Sequence, residues 1–163
     1  MSGVFISYRR ADQAWVGRLA DHLNARFGKV LIWRDVEDIK PGKKWLDEII
    51  NAITNSDVIL VVIGPTWLQD ESGRRRLDNS DDVLLLEIET ALESDDRVIP
   101  VLVGNTPMPQ KEDLPPSIRK LLEIEFAVLR DREWDQDIQQ LIDTLRDFTR
   151  KRRDRQPLKE LHQ

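Results

Sequence analysis

The chain contains no cysteine, which excludes disulfides, thiolate metal sites and cysteine nucleophiles. Histidine is almost as scarce: only His22 and His162 are present, far apart in sequence. A multi-histidine metal site is therefore excluded, and a triad built on imidazole is argued against. The longest apolar run, Val58 to Ile63, falls far short of the roughly twenty residues a membrane-spanning helix needs. No excess of positive charge is present either. Lys plus Arg total 25 against 30 Asp plus Glu, a formal net charge of -5, which suits phosphate neutralisation poorly and argues against nucleic acid as a partner of this domain. Gly64-Pro65 is not a phosphate-loop pattern, and no other glycine-rich loop stands in for one. Met1-Ser2-Gly3-Val4 leads straight into a strand-like run, so no signal peptide and a cytoplasmic location are expected.

What remains is enough for one domain. The 163 residues are 40% hydrophobic and 34% charged, a mixture that supports a single core under a solvated surface. Val4-Phe5-Ile6 is β-prone, Asp12 can cap a helix, and Trp15, Val16, Leu19, Leu23 and Phe27 recur at helical spacing until Gly28. Val30-Leu31-Ile32-Trp33 reads as a second strand, followed by a polar loop over residues 35–43 with a Pro41-Gly42 turn. Trp45, Ile49, Ile50 and Ile53 give the next helical stripe, and the run from Val58 to Ile63 reads as a strand covered on both faces. Residues 69–82 are polar and predict a loop, and Leu84, Ile88, Ala91 and Leu92 predict a helix. Val98 to Val103 predicts a fourth strand, placed near an edge or at a bulge by Pro100. Four prolines make residues 104–117 a long loop, and Ile124 to Val128 a short fifth strand. Trp134, Ile138, Leu141, Ile142, Leu145 and Phe148 form a final stripe, and the basic cluster Arg150 to Arg155 reads as a frayed end or linker. The expected division is thus one domain over residues 1–149 and a basic tail over 150–163.

Alternating strands and helices predict an α/β fold with a short central parallel sheet of about five strands and helices on both faces. Ligands in such folds bind beyond the carboxyl ends of the strands. The loops that follow strands, at residues 7–11, 34–44, 64–82 and 104–117, are therefore where function is expected.

Four segments carry a family resemblance. Val4-Phe5-Ile6-Ser7-Tyr8-Arg9-Arg10-Ala11-Asp12 resembles the opening motif of bacterial TIR (Toll/interleukin-1 receptor) domains. Trp33-Arg34-Asp35-Val36-Glu37-Asp38-Ile39-Lys40-Pro41-Gly42 resembles that family's second strand and the BB loop after it. Ser56 to Pro65 resembles its third strand, and Leu86-Glu87-Ile88-Glu89-Thr90-Ala91-Leu92 followed by Val98-Ile99-Pro100-Val101 its third helix and fourth strand. One such motif is weak; four in register from Val4 to Val103 imply the flavodoxin-like TIR fold. Some members of the family cleave NAD+ at the nicotinamide–ribose bond and some only assemble with other TIR domains, so the fold alone does not choose.

That cleavage suits a chain without cysteine or usable histidine. Nicotinamide leaves as a neutral molecule and needs no general acid, unlike the leaving group of an ordinary glycoside. One fixed carboxylate can stabilise the ribosyl oxocarbenium. The resemblance implies Glu87 as the catalytic carboxylate, with NAD+ as substrate and neither cofactor nor metal. At about 100° per residue, Glu87 is expected on the border of the face made by Leu84, Ile88, Ala91 and Leu92, with Glu89 on the opposite border. On an amphipathic helix this could equally be an ordinary solvated glutamate. Arg9 and Arg10 could meet dinucleotide phosphates, or form surface salt bridges with Asp12 or Glu37. Ser7 could bond a hydroxyl or cap a turn. Trp45 stands where the family often has an aromatic near the nucleotide, or packs in the core. NAD-cleaving relatives often have tryptophan where this chain has Val83, and valine offers no stacking platform. The resemblance further implies self-association through the loop that holds Asp35, Glu37, Asp38, Ile39, Pro41 and Gly42. Two functions are therefore carried forward. One is an NAD+ nucleosidase activated by self-association, in bacterial immune signalling and coupled to a partner sensor domain. The other is a non-catalytic module that acts only through homotypic assembly.

Overall fold

Unbroken apolar runs become the middle of a parallel sheet. The computed structural model describes residues 3–27, 45–70, 72–77, 82–93 and 97–155. Its strands are β1 (Val4–Ser7), β2 (Val58–Ile63), β3 (Val98–Val103) and β4 (Ala127–Leu129), in the spatial order β1-β2-β3-β4 and parallel throughout. The sequence predicts about five strands; four lie among the described residues, and the one expected at residues 30–33 falls outside them. The helices are α1 (Gln13–Phe27), α2 (Trp45–Asn55), α3 (Val83–Leu92) and α4 (Trp134–Arg155).

The two-residue pleat sorts the strands' side chains between two cores. Val4, Ile6, Val58, Leu60, Val62, Ile99, Val101 and Val103 face one layer, where Val16, Leu19 and Leu23 of α1 meet Ile138, Leu141, Ile142 and Leu145 of α4. Trp134 locks those two helices: its ring stacks on Trp15 at 6.0 Å, and the Arg18 guanidinium lies 4.2 Å from its centroid. Phe5, Ile59, Val61, Ile63, Val98 and Leu102 face the other layer, against Ile49 and Ile53 of α2, Leu84, Ile88 and Ala91 of α3, and Ile118 and Leu121. All six residues of β2 are buried, as a strand covered on both faces must be. Each such aliphatic contributes about 1.5–3 kcal/mol by leaving water.

The structure refines three expectations from the sequence. β3 lies next to β4, the last strand in the order, which fits a place near an edge, and its register with β2 runs from Ile59–Val98 to Ile63–Leu102 without a bulge. The physical reason lies in the ladders: β4 pairs only from Val101 onward, so on that side Pro100 meets no partner strand that its missing N–H could fail. The stretch over residues 104–117 is not all loop. Gly104 and Asn105 turn the chain at positive φ, and 3₁₀ turns then form at Lys111–Asp113 and Pro116–Glu123, the second burying Ile118 and Leu121. Of the two readings of the basic cluster, helix end or linker, the first matches the backbone, since α4 runs to Arg155. Arginine and lysine are good helix formers, so charge alone does not end a helix.

Candidate functional site

The carboxyl ends of β1 and β2 bring together residues far apart in sequence. Ser7 closes β1 beside Val61 and is 1% exposed. By the pleat it shares the side of Phe5, which is the side of α3, and α3 packs against β1. Its Oγ has no hydrogen-bond partner. The chain then turns through a 3₁₀ segment, Arg10–Asp12, into α1. Beyond β2, Gly64-Pro65-Thr66-Trp67 folds back with the Trp67 N–H donating to the Gly64 carbonyl at 3.1 Å. The Trp67 ring drops wholly into the core of the α3 layer.

Glu87 lies in the second turn of α3, about 6 Å along the axis from Val83. The helical-wheel expectation set it on a border; it is in fact buried, at 2% exposure, together with Leu84, Leu85, Ile88, Ala91 and Leu92. A wide buried arc is needed because α3 packs against α2, β1 and the Pro116–Glu123 turn at once. A carboxyl group so placed faces protein rather than bulk water. Val83 is half-buried against the same core.

Arg9 is 8% exposed, and its guanidinium makes four hydrogen bonds. Nη1 and Nη2 donate to the two carboxylate oxygens of Asp82 at 2.8 and 2.9 Å, while Nε and Nη2 each donate to the Trp67 carbonyl at 3.2 Å. Asp12, weighed from the sequence, accepts none of these bonds, and Glu37 lies outside the described residues. Asp82 precedes α3, yet its carboxylate makes no capping bond to the helix. Arg10 is exposed on the 3₁₀ turn. Trp45 opens α2, but its side chain lies outside the described residues, as does the whole loop with Asp35, Glu37, Asp38, Ile39, Pro41 and Gly42.

Two features were not legible in the sequence. The Arg9–Asp82 pair spans 73 positions. Asp12, expected as a helix cap or as a surface partner of the arginines, is 2% exposed and lies on Gly64, where a Cβ would stand 2.1 Å from its Oδ1. Its Oδ2 has no hydrogen-bond partner. Burial pushes the Asp12 carboxyl above its ordinary 3.8, with the Arg9 charge pulling the other way. Thr66 Oγ1 and Trp67 Nε1 in the same turn are also buried without partners. A glycine after a strand that must admit a buried acid is the one local signal that could have pointed here.

The sheet's β4 side is different in kind. A cavity of about 590 Å³ lies between β4 and α4, lined by Ile124, Phe126, Val128, Leu141 and Phe148 among others, and none of the expected site residues borders it. Its buried acid, Asp137, accepts from the backbone N, Nε and Nη2 of Arg130 at 2.8, 3.0 and 2.9 Å, bonds that hold its carboxyl below the ordinary 3.8. Three of the roughly four lone-pair sites of that carboxylate are thus taken by one arginine. Among the described residues no group of histidine and carboxylate ligands could hold a metal ion, and no helix is long and apolar enough to cross a membrane.

Comparison with known proteins bears on the family and the fold. The family model for the TIR domain matches residues 4–142. Toll-like receptor 10 of Bos taurus is 38% identical over 69 residues, which cover 42% of this chain and 8% of that receptor. A metazoan TIR-STING receptor from C. gigas, solved in complex with 2',3'-cGAMP, is 28% identical with a TM-score of 0.54, over 83% of this chain and 38% of that one. The TIR domains of the activated Roq1 resistosome, a structure described as directly recognizing the pathogen effector XopQ, superimpose with a TM-score of 0.58. They cover 89% of this chain and 99% of that one, and at 18% identity show likeness of fold alone. The chain thus spans a small part of the receptors it resembles.

Proposed function

The chain belongs to the TIR domain family, and from that premise we propose that it is an NAD+ nucleosidase with Glu87 as its catalytic carboxylate. The observation that carries the reading is the burial of Glu87. A carboxyl group held at 2% exposure, on a helix whose other buried residues are leucine, isoleucine and alanine, has given up most of its hydration. In that low-dielectric setting it is worth far more against a developing positive charge than it would be in water. It stands in the layer that also holds Ser7, near the strand ends where ligands of parallel sheets bind.

In the reaction, the bond between the nicotinamide nitrogen and the ribose anomeric carbon breaks, and its electron pair neutralises the pyridinium. The ribosyl oxocarbenium that forms is stabilised by the Glu87 carboxylate and captured by water, which releases a proton. Ser7 Oγ, buried without a partner, is the hydroxyl group positioned to bond a sugar hydroxyl. Arg10, exposed on the turn after β1, takes the phosphate-positioning role, since Arg9 is committed elsewhere. Trp45 and the loop holding Asp35, Glu37, Asp38, Ile39, Pro41 and Gly42 complete the pocket when copies of the domain associate. Activity then rises more steeply than linearly with protein concentration. The expected setting is immune signalling in the cytoplasm, with a sensor domain as partner.

The test is to incubate the purified chain with NAD+ over a range of protein concentrations and follow nicotinamide by chromatography. Glu87→Gln, which keeps the shape, is expected to lose at least about a hundredfold in turnover. Full activity in that variant would end the proposal. One observation favours a second reading, a module that only assembles: Val83 packs into the core and presents no ring on which a base could stack. Oligomers that release no nicotinamide at any concentration would establish it.

A further inference from the structure

We propose that Arg9 is not a ligand for substrate but a positioning residue, one half of a buried clasp with Asp82 that fixes the start of α3 and so the place of Glu87. The inference rests on the reading of Glu87 given above. Three elements meet at the guanidinium: the exit of β1, which carries Arg9 itself; the turn after β2, through the Trp67 carbonyl; and the entry to α3, through both oxygens of Asp82. Glu87 follows Asp82 by just over one helical turn. A rigid fork at one point therefore sets both the axial position and the rotation of the helix that presents the carboxylate.

The pair's burial says what it is for. The side chains of Arg9 and Asp82 are only 9% and 10% exposed. Buried ion pairs add little net stability, because desolvation offsets their attraction, and well-packed apolar replacements often do as well. What the fork supplies instead is geometry: two parallel bonds to a carboxylate fix orientation in a way a lysine's point charge cannot. The Asp82 side chain would ordinarily cap the helix it precedes. Here it makes no capping bond and gives both oxygens to Arg9 instead. A displacement of about 1 Å at a catalytic group can cost about a hundredfold in rate, so holding α3 is worth the loss of a cap.

The test uses the full chain with Arg9→Lys, Asp82→Asn, their combination, and the apolar replacement Arg9→Met with Asp82→Leu. For each, kcat and KM for NAD+ cleavage are measured. Amide hydrogen exchange is followed at residues 83–87, with β2 as the internal reference for global stability. The clasp predicts that every variant loses about tenfold or more in kcat with KM changed less than about twofold. The double Lys/Asn variant should be no worse than the worse single, as for residues that act as one unit. Exchange at the start of α3 should quicken while β2 is unchanged. The apolar pair should stay folded yet lose kcat. If Arg9 instead binds phosphate, Arg9→Lys raises KM with kcat held, and Asp82→Asn, which frees the guanidinium, lowers KM; that outcome overturns the inference. Unchanged kinetics in the variants overturn it too, as does exchange quickening equally in β2 and α3. Should the unaltered chain release no nicotinamide, the nucleosidase reading fails by itself. The exchange arm then still decides whether the pair fixes α3: quickening confined to residues 83–87 sustains the clasp, and no quickening there removes it.

Discussion

Adding one methyl group at Gly64 should disturb the molecule more than deleting many larger ones. The Cβ of Gly64→Ala would stand 2.1 Å from Asp12 Oδ1, 2.3 Å from Oδ2 and 2.4 Å from Cγ. Ordinary contact begins near 3.4 Å, so from 2.1 Å the carboxylate must retreat about 1.3 Å. It has little room to do so. Asp12 is 2% exposed, its backbone N–H donates to the Arg9 carbonyl at 2.9 Å, and Arg9 is itself held by Asp82 and Trp67. The whole 3₁₀ turn must therefore shift with the start of α1. Overpacking of this kind costs about 1–3 kcal/mol, which for a domain of this size lowers Tm by roughly 3–10 °C. Scanning calorimetry of Gly64→Ala measures the loss. Asp12→Ala in the same chain removes the colliding carboxylate, so the double variant should recover at least about 1 kcal/mol relative to the sum of the singles. A Tm within about 1 °C of the unaltered chain, or a double variant with no recovery, would refute the argument that close approach of the acid is what requires glycine here.

The two buried acids with shifted carboxyl groups should respond to pH in opposite senses. Asp12 is raised in the folded state, so its contribution is greatest below its unfolded value of 3.8 and is lost as pH rises through the folded value. Asp12→Asn should therefore gain in Tm relative to the unaltered chain as pH rises from below 3.8 toward neutrality, and a constant difference over that range would contradict the assignment. Asp137 is lowered, chiefly by its hydrogen bonds from Arg130, so its contribution is present above 3.8 and is lost as pH falls through the folded value. Asp137→Ala should lower Tm at neutral pH, with a deficit that shrinks in acid; thermal melts over that range measure it.

Much of the fold could be read from the sequence because its signals are local. The run from Val58 to Ile63 is apolar at every position, and only a strand buried on both faces has use for that. Val16, Leu19 and Leu23 recur at the helical period and are the buried residues of α1. Where reading from the sequence failed, a local rule met a tertiary fact. Pro100 signals a place near an edge or a bulge, and no bulge is needed because the constraint belongs to one ladder position and β4 begins one residue later. The wheel set Glu87 on a border because it counts only the helix's own residues; it takes no account of α2, β1 and the Pro116–Glu123 turn, against which α3 packs. Arg9 could be seen as important, but its partner, 73 positions away, could not, since no periodicity connects the two.

The contrast between the two ends of this sheet's polar groups bears on where chemistry is done. Beside β4, Asp137 is buried and both of its carboxylate oxygens accept hydrogen bonds from Arg130. Around the ends of β1 and β2, the Oγ of Ser7, Oδ2 of Asp12, Oγ1 of Thr66 and Nε1 of Trp67 are buried without hydrogen bonds, at a cost of about 1–3 kcal/mol for each. Selection for stability alone would convert that second set into the first, because a single serine or threonine replaced by alanine removes the cost. A protein that keeps them, and beside them spends a buried arginine on holding one helix end, has its marginal stability committed to geometry at that spot. On the proposed role of Glu87, and with the proposed clasp at the start of its helix, that commitment reads as the preparation of a site.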